Sequence, residues 1–318
     1  MKTALITGVS GYLGTHLTKK LKNEGWKIVG LDIKRTKNKY LDLFVECDIR
    51  DLKNLDLIFK KIKIDVVFHL AGKIEVEEST KYPNLFFETN VNGTVNVLNK
   101  MEKYGVNCIV YSSTAGIYAT SDKPIKESDS VNPMNNPYSA SKYSAELAIK
   151  CSKVKHIIFR YFNLAGADSD GEFGENHEPE THLIPRIFRN INNFTIYGSN
   201  YNTIDGTCVR DFVHVDDVCD VHIKGAEMVL SGEIESGTFN IGSGQGHSVL
   251  EIVNKIKDNL NLEIKYNITS NRTGDPASLV ADVESAKTKI NFETKHNIEN
   301  IIRTAYDWER KKLQHENR

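Results

Sequence analysis

The sequence has few cysteines, almost no net charge and no long hydrophobic run, and each absence excludes a class of protein. The five cysteines are odd in number, scattered and never spaced as CxxC, which is typical of reduced cytoplasmic thiols rather than of disulfides. A formal net charge of −1 does not indicate binding to nucleic acid or to a membrane surface. No apolar run approaches the roughly 20 residues of a membrane span. We therefore expect a cytoplasmic protein without nucleic-acid or membrane partners.

Motifs for a catalytic metal and for export are also missing. The sequence contains no HExxH motif and no cluster of Cys and His that argues for a catalytic metal, so we expect none. The chain enters a strand-like run at Thr3, from which we expect no signal peptide. With 318 residues, 40% of them hydrophobic, the chain can form one large α/β domain or two closely packed domains.

A glycine-rich turn follows the first predicted strand. Thr3–Thr7 is apolar, and Gly8, Gly11 and Gly14 then lead into a predicted helix that runs to about Asn23. Glycines here allow a tight turn, a close approach of the backbone to a pyrophosphate and close packing of helix on strand. The phosphates would lie at the helix N-terminus. The spacing is GxxGxxG rather than GxGxxG, and a purely structural turn is the alternative.

An acidic residue ends the second predicted strand. Asp32 follows the apolar run 27–31, at the distance from the glycines where the ribose hydroxyls of NAD are bound. Its carboxylate would repel the additional phosphate of NADP, so we expect NAD. Four basic residues follow between positions 34 and 39. We interpret them as a solvated loop, with tolerance of NADP as the alternative.

Strand and helix patterns alternate as far as residue 161. Strand-like runs lie at 43–46, 65–70, 108–112 and 156–161, and helical patterns at 52–61, 83–104 and 137–151. This alternation predicts βαβ units and an α/β fold with a doubly wound parallel sheet of the Rossmann type. Ligands of such sheets bind beyond the carboxyl ends of the strands. The residues predicted there are Gly8, Asp32, Asp48, Ala71, Ser112 and Tyr161.

A tyrosine and a lysine stand four residues apart at the start of one predicted helix. At this spacing Tyr138 and Lys142 lie on one helical face. An ammonium beside a phenol favours the phenolate, so we predict that the pKa of Tyr138 falls below its ordinary value of about 10. Tyr138 would then accept a proton near neutral pH. Because such pairs also arise by chance, this interpretation requires a nicotinamide site and a sugar site beside the pair.

Several motifs occur in an order that resembles one enzyme family. In the first half they are GxxGxxG, Ala71-Gly72, Asn90-Val91-Asn92-Gly93, Ser112-Ser113-Thr114 and Tyr138-x-x-x-Lys142. Over nearly the whole chain the sequence resembles the extended short-chain dehydrogenase/reductase family, whose members act on nucleotide sugars. The second half most closely resembles its 4-epimerases of UDP-hexoses. The blocks that carry this resemblance are Tyr161-Phe162-Asn163-x-x-Gly166-Ala167, Asp205-Gly206-Thr207-x-x-Arg210-Asp211 and Arg272-x-Gly274-Asp275.

The resemblance implies NAD, a UDP-sugar substrate and a set of contacts for each. The residues implied for NAD are Gly8, Gly11, Tyr12, Leu13, Gly14, Asp32, Asp48, Ile49, Leu70, Ala71, Gly72, Asn90, Ser112, Ser113, Tyr138, Lys142 and Tyr161. The residues implied for the UDP-sugar are Thr114, Tyr138, Asn163, His182, Leu183, Thr195, Tyr197, Arg210, Arg272 and Asp275. For Arg210 an internal ion pair is the alternative.

The same resemblance implies how the chain is divided and assembled. Residues 1–163 would form the NAD-binding domain, to which the chain returns at about 209–242. Residues 164–318 would form mainly a smaller, mixed α/β domain that binds the UDP-sugar. A homodimer would form through the predicted helices 83–104 and 137–151.

The implied reaction is epimerisation of UDP-glucose and UDP-galactose at C4. Tyr138 would remove the proton of the C4 hydroxyl while NAD takes the C4 hydride, and the 4-keto sugar would turn over before hydride returns to its opposite face. Lys142 would hold the nicotinamide ribose, and Thr114 would hydrogen-bond the reacting oxygen. Ala115 and Gly116 replace the acidic pair of related dehydratases, which argues against dehydration. The alternatives are epimerisation of UDP-GlcNAc and UDP-GalNAc, a nucleotide-sugar reductase and a non-catalytic NAD(P)-binding regulator.

Overall fold

The structure is a computed structural model that describes residues 1–272 and 275–316. Two compact units form within these residues. Unit 1 comprises residues 1–119, 129–161 and 219–239. Unit 2 comprises residues 120–128, 162–218 and the described residues from 240 onward.

The described strands and helices follow the alternation that the sequence predicts. The strands are β1 (Thr3–Thr7), β2 (Lys27–Asp32), β3 (Leu43–Glu46), β4 (Val66–His69), β5 (Cys108–Thr114), β6 (Lys155–Tyr161), β7 (Asn163–Ala165), β8 (Phe194–Tyr197), β9 (Val209–His214), β10 (Gly237–Ile241), β11 (Gly246–Ser248), β12 (Tyr266–Thr269) and β13 (Ser278–Leu279). The α-helices are α1 (Tyr12–Asn23), α2 (Leu52–Lys61), α3 (Val76–Lys81), α4 (Pro83–Phe86), α5 (Gly93–Tyr104), α6 (Pro137–Cys151), α7 (Leu183–Arg189), α8 (Val215–Ser231), α9 (Val249–Leu260), α10 (Glu284–Ile290) and α11 (Ile298–Glu316). None of these helices combines the length and hydropathy that a membrane span requires.

A seven-stranded sheet with the order β10-β6-β5-β4-β1-β2-β3 organises unit 1 within the described residues. Strands β1 to β6 pair in parallel. The chain first builds outward from β1 to β3 and then crosses to β4 on the other side of β1. This reversal is the point at which open α/β sheets bind ligands. The predicted doubly wound parallel sheet is confirmed.

The core of unit 1 explains why its central strands read as continuous apolar runs. Every residue of β1 and β4 is buried, because helices cover parallel sheets on both faces. Leu5 of β1, Val97 of α5 and Ile149 of α6 meet in one hydrophobic cluster. The rigid sheet therefore fixes the carboxyl ends of its strands, where the nucleotide and catalytic residues are predicted.

The predicted helix 83–104 contains a π-helical segment. Helix α4 continues through π turns at Phe87–Asn92 into α5. Each π turn takes one more residue than an α turn, and such segments are frequent at functional sites. Here the π segment carries Asn90, whose side chain is buried.

Unit 2 is a mixed α/β structure with small sheets. Strands β11, β9 and β13 are neighbours, with β7 also paired to β9, and β8 pairs in parallel with β12. Residues of β8, α7, α9 and α11 form its hydrophobic core, including Phe194, Ile187, Ile252 and Ile302. The smaller C-terminal fold predicted from the sequence is confirmed.

Candidate active site

The glycine turn presents bare backbone where a pyrophosphate is predicted. Gly8 has a φ of +73°, and a Cβ there would lie 2.7 Å from the backbone nitrogen of Ala71. A Cβ at Gly14 would lie 2.8 Å from the Cα of Val9. Gly11 is the N-cap of α1 and supplies no side-chain cap, so the amides of Tyr12 and Leu13 open the helix without a side chain over them. The turn therefore fits a dinucleotide phosphate.

Asp32 is fixed beside this turn by two backbone amides. Its Oδ2 accepts a hydrogen bond from Ser10 N at 3.0 Å, and its Oδ1 accepts one from Lys34 N at 2.9 Å. In the basic loop that follows, the exposed Arg35 pairs with Glu46 at 2.7 Å. That pairing favours the solvated-loop interpretation over recognition of an additional phosphate.

We expect Asp32→Asn to raise the affinity for NADP by about tenfold or more relative to NAD. The substitution removes the charge that repels an additional phosphate, and such like-charge contacts cost several kcal/mol. Asparagine keeps an acceptor for the backbone amides. Binding of both dinucleotides by calorimetry measures the ratio, with Glu46→Gln as the matched control. An unchanged ratio in Asp32→Asn would show that the basic loop decides the preference.

Asn90 holds the segment that follows β4. Its Oδ1 accepts a hydrogen bond from Lys73 N at 2.7 Å, and its Nδ2 donates to Lys73 O at 3.0 Å and to Ser141 Oγ at 2.9 Å. A Cβ at Gly72 would lie 2.9 Å from Asn90 Oδ1. Asn90 thus shapes the turn of Leu70, Ala71 and Gly72 and ties it to α6.

Asp48 and Ile49 lie in the connection between β3 and α2. Asp48 forms an ion pair with Arg50 at 2.6 Å, which lowers the pKa of the Asp48 carboxyl. Ile49 is buried, and its side chain occupies the space in which a Cβ of Gly93 would stand. In this structure the side chain of Ile49 therefore packs the helix α5 against the sheet.

Two loops bring the three predicted catalytic residues together. Thr114 ends β5, and its Oγ1 accepts a hydrogen bond from Gly116 N at 3.0 Å. Helix α6 begins at Pro137 because the side chain of Asn136 caps it, accepting from Ser139 N at 2.8 Å. Ser139 Oγ donates to Gly116 O at 2.9 Å, which joins the start of α6 to the turn after β5.

Burial dominates the electrostatics of the Tyr138–Lys142 pair. Burial raises the pKa of Tyr138, the Thr114 hydroxyl opposes this by hydrogen bonding to it, and Glu75 adds to the increase. Burial also lowers the pKa of Lys142 to about 7, although the Glu146 carboxylate opposes this. The predicted lowering of the Tyr138 pKa is therefore wrong for this structure, because desolvation disfavours both charged forms.

The Lys142 ammonium faces the sheet. Its Nζ lies 4.4 Å from the ring centroid of Tyr111, a cation–π contact, and 3.9 Å from the point where a Cβ of Gly72 would stand. Gly72 directly follows Ala71, against which Gly8 packs. The glycine turn and the Tyr138–Lys142 pair are thus adjacent to the same short segment of backbone.

Of the two serines before Thr114, one is turned towards Tyr161 and the other away. Ser112 Oγ and the Tyr161 hydroxyl are 2.9 Å apart, and that hydroxyl is 2.5 Å from His222 Nε2. Ser113 instead donates to the carboxylate of Glu146. Its hydroxyl is therefore engaged within the protein rather than presented to the nicotinamide end.

Glu146 forms an ion pair with Arg160 that sequence reasoning missed. Arg160 donates to the two carboxylate oxygens at 3.0 and 2.8 Å, and the side chains are only 0% and 4% exposed. Removing one partner of such a pair would leave a buried charge without compensation. Two signals could have found it: Glu146 lies four residues after Lys142 on the same helical face, and Arg160 directly follows the apolar run Ile157–Phe159.

In unit 2, cationic side chains gather on one face of β8. Thr195 and Tyr197 share the less buried face of this strand. The Arg272 guanidinium lies 4.0 Å from the centroid of the Tyr197 ring, and the Arg186 guanidinium lies 5.6 Å from it. Chiefly through Arg272, these cations lower the pKa of Tyr197. Sequence reasoning did not select Arg186, although Arg186 lies three residues after the predicted substrate residue Leu183 in α7.

Arg210 has an internal partner, as the alternative interpretation predicted. Its Nη2 lies 3.0 Å from Asp275 Oδ1, and its Nη1 donates to the carbonyl oxygens of Val209 and Pro276 at 2.9 Å. The partner is thus Asp275 rather than the neighbouring Asp211. Thr273 and Gly274, which belong to the same sequence block, lie outside the described residues.

The remaining predicted substrate residues lie at the starts of two short elements. Asn163 begins β7, in register with Phe212 of β9. His182 is the N-cap of α7 and Leu183 is its first residue. The His182 side chain approaches Glu175 rather than the helix.

Comparison with known proteins places these features in a family. Residues 4–242 match the model of the "NAD dependent epimerase/dehydratase family". The chain is 39% identical to a UDP-glucose 4-epimerase of Lactobacillus helveticus, with 96% of each chain covered, and 36% identical to one of Rhizobium leguminosarum bv. trifolii, with 99% covered. It superposes on the UDP-glucose 4-epimerase of Brucella ovis in complex with NAD with a TM-score of 0.91, at 33% identity and 97% and 98% coverage.

A further solved structure shows the same likeness over the whole chain. The UDP-glucose-4-epimerase from Stenotrophomonas maltophila, with bound NAD and formylated UDP-arabinopyranose, has a TM-score of 0.92 and 30% identity, covering 99% of this chain and 100% of that one. The family resemblance predicted from the motifs is thereby confirmed. The protein described here belongs to the NAD-dependent epimerase/dehydratase family.

Proposed function

We propose that this protein interconverts UDP-glucose and UDP-galactose at C4 with NAD that remains bound. The observation that carries the proposal is the contiguity of three parts of unit 1. Gly8 packs on Ala71, Gly72 lies beside Lys142, and the Thr114 hydroxyl reaches Tyr138. A dinucleotide on the glycine turn would therefore extend towards the tyrosine along the segment 70–73. The relatives named above carry the same activity in their names.

The chain's own residues provide proton transfer and position. Tyr138 accepts the proton of the sugar C4 hydroxyl and later returns it, and Thr114 holds the same oxygen by a hydrogen bond. When bound, NAD supplies the reversible oxidation at C4 together with a positive ring charge. That ring charge would oppose the burial that raises the pKa of Tyr138, and Lys142, on the same helical face, would hold the nicotinamide ribose. Lys142 is buried and Tyr138 is partly buried, which limits the access of bulk water to the reacting oxygen.

The cationic face of β8 is the proposed site for the UDP group. Arg272 and Arg186 form charge-assisted hydrogen bonds with a diphosphate, and Tyr197 and Thr195 line the strand beside the uracil. The guanidinium of Arg210 already pairs with Asp275. Arg210 would therefore bind the diphosphate only while it also contacts Asp275. The backbone of His182 and Leu183, together with Asn163, holds sugar and phosphate oxygens.

The domain assignment, assembly and compartment follow from the same proposal. Residues 1–163 bind NAD, with a return of the chain at about 209–242, and residues 164–318 mainly bind the UDP-sugar. A second copy packs on the helices 83–104 and 137–151, whose exposed Phe87 and Leu147 support such a contact. A cytoplasmic role in galactose metabolism agrees with the five cysteines, none of which forms a disulfide in the described chain.

The absence of acid–base side chains after Thr114 separates epimerisation from dehydration. Ala115 is buried, and Gly116 is held by Thr114 and Ser139. Neither residue can protonate a leaving hydroxyl. A reductase of the same fold remains the second candidate because it would use the same Tyr138 and Lys142 with exchangeable NAD(H).

We expect the purified protein to convert UDP-glucose into UDP-galactose without added cofactor. Incubation with UDP-glucose, UDP-galactose, UDP-GlcNAc and UDP-GalNAc, followed by identification of the products, tests the activity and its sugar range. Denaturation should release about one nicotinamide dinucleotide per chain, because a cycle without net redox change retains its cofactor. A protein that releases no nicotinamide and consumes added NADH stoichiometrically is a reductase, and the proposed function then fails.

A further inference from the structure

A group of titratable side chains lies in unit 2 immediately before α7. Glu175, His177, Glu180 and His182 each direct one nitrogen or carboxylate oxygen inward, and these atoms all lie within 4.8 Å of one another. The sequence contains no familiar metal motif, and we expected no metal. The loop nevertheless assembles two imidazoles and two carboxylates within eight residues of chain.

Two of the separations within this group match those around a tetrahedral metal ion. His177 Nδ1 lies 3.3 Å from Glu175 Oε1, and His182 Nδ1 lies 3.4 Å from Glu180 Oε1. Ligands held about 2.1 Å from Zn²⁺ at tetrahedral angles lie about 3.4 Å apart. His177 Nδ1 and Glu180 Oε1 are 3.9 Å apart. His182 Nδ1 and Glu175 Oε1 are closer than two ligands of one ion, so this pair would have to separate when a metal binds.

The carboxylates of this group are buried, whereas the His182 side chain is 41% exposed, and several polar atoms of the group lack a hydrogen bond. The side chains of Glu175 and Glu180 are 6% and 4% exposed. Among the described residues, Glu175 Oε1, Glu180 Oε2 and His182 Nδ1 are buried atoms without a hydrogen-bond partner. They approach one another as ion pairs, and Glu180 Oε1 also accepts a hydrogen bond from His182 N at 3.0 Å. A bound cation would compensate carboxylate and imidazole atoms that converge in this way.

Arg189 of α7 approaches this group. Arg189 lies 3.3 Å from Glu180 and 3.1 Å from Glu309. One guanidinium therefore serves two carboxylates, while Glu175 is left with the two imidazoles. Backbone contacts fix the same loop: Trp308 Nε1 donates to Glu175 O at 2.9 Å, and Arg189 Nη1 donates to His177 O at 3.3 Å. Such outer contacts orient metal ligands in known sites.

A second group in unit 2 contains two histidines whose ring nitrogens have hydrogen-bond partners. His214, Asp216 and His296 also bring ligand atoms within 4.8 Å. However, His214 Nδ1 accepts from Asp216 N at 3.1 Å, and His296 Nδ1 pairs with Asp217 at 2.9 Å. Their nitrogens are already engaged, so hydrogen bonding explains this group without an ion.

We propose that Glu175, His177, Glu180 and His182 bind one divalent transition-metal ion of the Zn²⁺ class. Two imidazole nitrogens and two carboxylate oxygens suit Zn²⁺. With four protein ligands the site is closed, which is the arrangement of structural rather than catalytic zinc. The ion fastens the loop that leads into Leu183 and the start of α7. This proposal does not depend on the proposed epimerase activity.

The test is a titration of the full chain, treated with a chelator and dialysed, with ZnCl₂ alone. We expect one Zn²⁺ per chain by calorimetry, a higher melting temperature with Zn²⁺ than without, and the visible absorption of tetrahedral cobalt when CoCl₂ replaces it. His177→Gln should lose all three responses, and so should Glu175→Gln. His177→Gln is the main variant because the His177 side chain is 20% exposed and that of Glu175 is 6% exposed, so replacing His177 disturbs the fold less than replacing Glu175.

His247→Gln is the matched control. His247 also pairs with a glutamate, Glu251, at 2.8 Å, but it lies outside the proposed site, so this variant should bind one Zn²⁺ as the wild type does. The proposal is overturned if the wild type binds no Zn²⁺, if His177→Gln binds it as tightly as the wild type, or if His247→Gln loses it equally. The loop is then an ion-pair network of histidines and carboxylates without a metal.

Discussion

Replacing Tyr138 by phenylalanine is expected to lower kcat for UDP-glucose by about 10³-fold, within the range that general acid–base groups contribute. The Tyr138 phenol interacts with the Thr114 hydroxyl, which opposes the rise in the pKa of that phenol. Phenylalanine keeps the ring and its edge-on contact with Phe86, whose centroid is 6.5 Å away. The substitution should therefore slow proton transfer. It should leave folding and the bound nicotinamide unchanged.

Tyr143→Phe provides the matched control on the same helix. Tyr143 lies five residues further along α6 and is partly exposed, so removal of its hydroxyl should leave kcat within about twofold of wild type. Near-normal turnover by Tyr138→Phe, with NAD still bound, would remove Tyr138 from the mechanism. Loss of NAD from that variant would instead indicate a binding role.

Replacing Lys142 by methionine is expected to reduce kcat by at least about 100-fold and to change how stability depends on pH. The pKa of Lys142 is lowered from 10.5 to about 7 in the folded chain. Between these two values the unfolded chain binds more protons than the folded one, so the free energy of unfolding rises with pH. From pH 7 to pH 9 this contribution is on the order of 2 kcal/mol, and Lys142→Met should lack it.

Urea unfolding of both proteins across this pH range measures the difference. Lys150→Met, an exposed substitution on the same helix, should keep the wild-type pH dependence. Parallel curves for wild type and Lys142→Met would mean that Lys142 remains charged and solvated in the folded protein. The burial argument for the Tyr138–Lys142 pair would then be wrong.

Local sequence patterns were sufficient to predict the nucleotide half of the fold. The apolar run of β1, the glycines that follow it and Asp32 at the end of β2 each express a backbone requirement within a few residues. The i, i+4 spacing of Tyr138 and Lys142 likewise follows from helix geometry alone. These features depend on neighbours in the chain, so the sequence displays them directly.

The features that the sequence did not reveal depend on contacts between distant segments. Glu146 meets Arg160 across the α6–β6 packing, and Arg186 meets Tyr197 from a different element. The direction of the Tyr138 pKa shift was predicted wrongly because residue spacing shows which charges are near but not how completely water is excluded. The proximity of Glu175, His177, Glu180 and His182 similarly depends on the conformation of a loop without regular structure.

The central claim is that the hydrogen at C4 leaves the sugar and returns to it within one site. The most direct test uses UDP-glucose deuterated at C4, incubated with the purified protein in ordinary water and without added NAD. We predict that the UDP-galactose formed retains deuterium at C4 and that none appears in the solvent. UDP-galactose carrying solvent hydrogen at C4, or no UDP-galactose at all, would contradict the account.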